Sequence, residues 1–76
     1  MARFFLKHTQ LDQLREKHGL IAIRDFARAI GIHETQVSRI LRSNRPVGAK
    51  FVASVLHRFG TDLIDTLFDI RSEEER

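Results

Sequence analysis

The sequence predicts an all-α fold, a compact bundle of about five short helices with a short extended segment ahead of them. Apolar residues recur at intervals of three and four through most of the 76 positions, the spacing that lines one face of a helix. Glycines at positions 19, 31 and 60 fall where those runs stop, and glycine closes a helix readily because it reaches left-handed backbone angles without a Cβ clash. The chain has no cysteine, so disulfides cannot supplement a core this small, and oligomerisation is the usual alternative. A single domain is expected over residues 1–70, leaving no room for a separate catalytic or ligand-sensing module. Residues 71–76 carry no apolar side chain and are expected to form an acidic, disordered tail.

Phe4, Phe5 and Leu6 read as a short extended segment that packs on the bundle or on a second subunit. Thr9 is a cap for the first helix, with Asp12 three residues later as in a capping box, and Leu11 and Leu14 face inward. Gly19 ends that helix before Leu20 and Ile21 enter the core. The second helix buries Ile23, Phe26, Ala27 and Ile30, with Ala27 small enough for another helix backbone to cross closely. Gly31 turns the chain, Ile32 plugs the corner, and a third helix over residues 34–42 sends Val37, Ile40 and Leu41 inward. After Pro46 a fourth helix carries Phe51, Val52, Val55, Leu56 and Phe59 and stops at Gly60. Thr61 or Asp62 then caps a last short helix with Leu63, Ile64, Leu67 and Phe68 on one broad face. That face is either the lid on the core or a dimer seam. Leu63 and Leu67 suit the core, while Ile64, Phe68 and Ile70 are the seam candidates, with Phe4 and Phe5 next in line.

The formal net charge is only +3, but the charges are sorted along the chain. Residues 24–58 hold seven cations against two acids, whereas residues 61–76 hold six acids against two arginines. A basic stretch of that kind suits a phosphate-facing surface, and the acidic end is expected to point away from it. The third helix lies inside the basic stretch and leaves Glu34, Thr35, Gln36, Ser38, Arg39 and Arg42 on its outward faces. Those side chains can exchange hydrogen bonds with base edges, and the arginines reach guanine or phosphate.

Phe26-Ala27, Gly31-Ile32, Val37-Ser38-Arg39-Ile40 and Arg45-Pro46 stand in an order that resembles the Cro/lambda-repressor-like helix-turn-helix family. The chain departs from the family pattern in three places. His33 stands where Ser or Thr often caps the third helix, Leu41 replaces a usual acid, and Ser43 replaces a usual glycine, leaving Asn44 as the candidate left-handed residue. The resemblance implies sequence-specific binding of double-stranded DNA, with Glu34, Thr35, Gln36, Ser38 and Arg39 touching bases. It implies backbone contacts from Arg42, Asn44, Arg45 and Lys50, and His33, Arg24 and Arg28 are candidates for phosphates near the turn. A short repressor of the Cro kind, acting as a homodimer on an inverted repeat, is the implied mode of action. Two other readings stay open: a protein-interaction module such as an antitoxin, and an architectural or recombination accessory protein that bends DNA.

Little points to catalysis. His8, His18, His33 and His57 lack metal-ligand spacing, Ser38 has no neighbouring base, and no glycine-rich phosphate loop is present, so neither an enzyme nor a metal or other cofactor is expected. No window is apolar for long enough to span a membrane and no signal-peptide pattern opens the chain, which places the protein in the cytoplasm as an expectation.

Overall fold

The computed structural model describes residues 2–72, which form five α-helices, one 3-10 turn and a two-stranded sheet. Strand β1 (Ala2–Leu6) leads into α1 (His8–Lys17), α2 (Ile23–Ile30), α3 (Glu34–Leu41) and α4 (Ala49–Phe59). A 3-10 turn (Thr61–Leu63) and one turn of helix, α5 (Ile64–Leu67), precede strand β2 (Phe68–Ser72). The chain is therefore not all-α. Its two strands pair antiparallel from Ala2 opposite Ser72 to Leu6 opposite Phe68, and Val47 bridges the other side of β1 by donating its N–H to the Phe4 carbonyl at 2.8 Å.

The last expected helix fails at Phe68. Leu63, Ile64, Leu67 and Phe68 do fit a helical face, but Phe68-Asp69-Ile70-Arg71 also alternates apolar with polar, and β1 offers that alternation a partner. Arg71 and Ser72, expected in a tail, are paired in β2, and residues 73–76 lie outside the described residues. Phe68, a seam candidate, is 3 % exposed and meets Phe4 and Phe51 edge-on at ring separations of 6.3 and 6.2 Å, so it belongs to this chain's own core. Ile64, Phe4 and Phe5 are half-buried, which leaves Ile70 as the exposed member of that set.

The sheet also moves the start of α1. Lys7 donates its N–H to the Leu67 carbonyl at 2.8 Å, which keeps the chain extended through Lys7 and begins the helix at His8. Thr9 consequently sits inside the first turn and caps nothing; Lys7 occupies the cap position without a side-chain bond. At the other end Arg15 folds back, donating Nε to the Leu20 carbonyl at 3.1 Å and a terminal nitrogen to the Ile21 carbonyl. That staple fixes the connection with Leu20 half-buried and Ile21 66 % exposed, so Ile21 does not enter the core.

Leu11, Phe26, Val37 and Val55 are fully buried, and with Ala27, Ile30, Ile32, Phe51, Val52, Leu56, Leu67 and Phe68 they join every helix to the sheet in one cluster. Among the described residues no helix is long and apolar enough to cross a membrane.

Candidate nucleic-acid interface

The turn between α2 and α3 follows from three residues. Gly31 takes φ 73°, ψ 29°, and its N–H and that of Ile32 both donate to the Ala27 carbonyl, at 2.9 and 3.1 Å. Ile32 turns into the core and is 8 % exposed, while Ala27, at 3 %, leaves space for the crossing. His33 then caps α3: its Nδ1 accepts the Thr35 N–H at 3.1 Å, which requires the ring proton, when neutral, on Nε2. The imidazole thus does the work of a hydroxyl cap at this helix start.

One side of α3 is anchored by Val37, with no exposure, and by half-buried Ile40 and Leu41. The opposite side presents Glu34, Thr35, Gln36 and Arg39 to solvent, with Ser38 half-buried at the margin. Arg42 ends the helix and lies back along it, Nε donating to the Ser38 carbonyl at 3.4 Å. Ser43 Oγ accepts the Arg45 N–H at 2.9 Å, which tightens the following turn without a left-handed residue. Asn44 therefore does not take the left-handed conformation; among the described residues only glycines have positive φ.

Concave surfaces flank both ends of the exposed helix face. At its N-terminal end a cleft of about 310 Å³ is lined by Arg24, Arg28, His33 and Glu34 over Ala27 and Ile32. At its C-terminal end a cleft of about 210 Å³ lies among Arg39, Ile40, Ser43, Arg45, Pro46 and Val47. A third, of about 240 Å³, shares Arg45 with the second and extends to Asn44, His8, Phe5, Leu6 and Arg71. Lys50 is exposed at the start of α4 and lines none of them. Among the described residues the side chains of Arg24, Arg28, Arg39 and Arg45 make no hydrogen bond or ion pair, with Glu34 the acid that shares a cleft with Arg24 and Arg28.

No protein family, curated protein or solved structure matches the chain. The site is therefore defined by its geometry.

Two contributors were not visible in the sequence, His8 and Arg71. His8 Nε2 donates to the Ser43 carbonyl at 3.0 Å and ties the start of α1 to the turn after α3. Arg71 belongs to the stretch expected to point away from a phosphate-facing surface, yet β2 carries it to the cleft beside Arg45. Its guanidinium donates Nε to Asp69 Oδ2 at 2.8 Å and stacks over Phe5 at 4.3 Å, and that hydrogen bond holds the Asp69 carboxyl below the usual carboxylate range. The strand alternation of residues 68–71 is the signal that places Arg71 on this face.

Proposed function

We propose that this protein is a sequence-specific regulator that binds double-stranded DNA with α3 in the major groove. The observation that carries the reading is an exposed, polar helix face held from behind by buried Val37 and bordered at both ends by clefts whose arginines have no hydrogen-bond or ion-pair partner among the described residues. An α-helix fits the width of the major groove, and unpaired arginines beside it meet the charge of the flanking phosphates. In this arrangement Glu34, Thr35, Gln36, Ser38 and Arg39 face base edges. Gln36 suits adenine, Arg39 guanine, and Glu34 a cytosine amino group. Arg24, Arg28 and His33 grip the backbone at one end, Asn44 and Arg45 at the other, with Arg42 and Lys50 adding charge around the turn.

One such helix reads a handful of base pairs, and discrimination of about 1–3 kcal/mol at each leaves a single copy poorly selective. A homodimer on an inverted repeat, with half-sites roughly 34–36 Å apart, supplies the missing selectivity and makes the protein a repressor of the Cro kind, acting by occupancy of its operator. Ile70, 55 % exposed at the end of the sheet, is the exposed apolar group among the seam candidates.

Selection of bound duplexes from a random pool at near-physiological salt tests this directly. Enrichment of an inverted repeat is the expected result. Binding without enrichment would replace it with an architectural role, and absence of binding would end the DNA reading. Ile70→Asp is expected to shift the sedimentation of the free protein toward monomer; an unchanged dimer would place the seam elsewhere.

A further inference from the structure

Arg45 and Arg71 are far apart in the sequence and meet at one cleft of about 240 Å³. Among the described residues His8, Asn44, Phe5 and Leu6 complete its lining, and the nearest acid is Asp69, which holds the Arg71 Nε. Both arginines stand on supports fixed before any ligand arrives. The turn carrying Arg45 is held by the Ser43 hydroxyl and by the bond from His8 to the Ser43 carbonyl. The Arg71 guanidinium lies over the Phe5 ring with its Nε engaged by Asp69, and its two terminal nitrogens have no partner among the described residues. A guanidinium held in one plane with a free nitrogen pair is the geometry that grips a tetrahedral oxyanion through two parallel hydrogen bonds. Less side-chain entropy is then lost when an anion binds.

We propose that this cleft is a phosphate-binding site that takes one backbone phosphate of the duplex, beyond the C-terminal end of α3, through Arg71, Arg45 and the Asn44 amide. The site rests on the DNA-binding reading and extends it from the helices to the sheet. Arg45 also lines the neighbouring cleft with Arg39, so a backbone followed past Arg39 and Arg45 arrives next at Arg71. The outward face of β2 thereby becomes part of the DNA footprint, while Ile70, on the other face of the same strand, stays available to a second copy.

The test is the salt dependence of affinity for a selected duplex, measured for the unmodified chain, Arg71→Gln, Arg71→Lys and a charge-matched control, Lys17→Gln, at the far end of α1. Loss of one phosphate contact makes the slope of log affinity against log salt shallower by about 0.9. Arg71→Gln is expected to show that change with base preference unaltered. Arg71→Lys is expected to keep the slope and lose affinity several-fold, because the charge remains and the fork does not. An Arg71→Gln slope equal to that of Lys17→Gln would overturn the site while leaving DNA binding intact. No binding by the unmodified chain would overturn the underlying reading and the site with it. Inorganic phosphate is the competing source of the same chemistry: if it moved the Arg71 Nε resonance as far as the duplex does, the cleft would be a free-anion site and the duplex assignment would fall.

Discussion

The α2–α3 pair and the joined ends of the chain treat their arginines in opposite ways. Around α2, α3 and the turn that follows, Arg24, Arg28, Arg39 and Arg45 reach solvent without an ion pair among the described residues, while packing is left to Phe26, Ile30 and Val37 beneath them. Near the ends, arginines take part in holding the chain. Arg15 binds two backbone carbonyls and Asp12 and lies 5.4 Å from the Phe26 ring centre, and Arg71 is fixed between Asp69 and Phe5. The contrast separates arginines kept free of internal partners from arginines that hold the fold, and Arg71 does the second while its two terminal nitrogens stay open to an outside anion. Like charges left unpaired side by side repel one another, and a polyanion relieves that repulsion.

The sharpest way to break the contrast is to remove the ring on which the sheet depends. Phe68→Ala is expected to cost about 3–5 kcal/mol, a large part of the stability of so small a domain, as read by urea unfolding. A cost below 1 kcal/mol would mean that the helices stand without the sheet.

On the other side of the contrast, Arg39→Ala should leave the unfolding midpoint in place and relax preference at one base pair by about 1–3 kcal/mol, whereas Arg45→Ala weakens all sequences alike. If both mutants lost affinity uniformly, Arg39 would be a backbone contact.

Gly31→Ala addresses the turn between the helices. A methyl group there meets nothing within 4 Å, so the expected cost is the left-handed backbone alone, about 1–2 kcal/mol in thermal or chemical unfolding. A larger loss would reveal a rearranged turn.

The smallest effect belongs to Asp69. Its carboxyl titrates below the ordinary value because Arg71 binds the charged form, so this contribution is complete above the unfolded-state pKa and is lost as pH falls through the folded one. Amide exchange at the end of β2 is expected to quicken slightly in that acidic range and to lose this response in Asp69→Asn.

The helix pair was legible because its signals are local. Ile23, Phe26, Ala27, Ile30 and Val37 repeat at helical spacing, and Gly31 marks the corner with a conformation few other residues reach. The sheet pairs residues 2–6 with residues 68–72, and no local period reports so distant a partner. Phe68 satisfied a helix face and a strand face at once, and only the presence of β1 decides between them. Ile21 misled for a related reason: its apolarity suggested burial, but the Arg15 staple sets where its side chain points. At the site, the exposed residues of α3 followed from its buried face, while Arg71 and His8 came into view only when the fold closed.

The register that sets Ala2 beside Ser72 has a mechanical consequence. Tension applied across those two residues loads the ladder at its open end, so the strands part like a zipper, one pair at a time, instead of shearing together. Pulled that way the sheet should yield at low force only as far as Phe4, whose carbonyl is held by Val47 and whose ring meets Phe68, and these contacts bring the first real resistance.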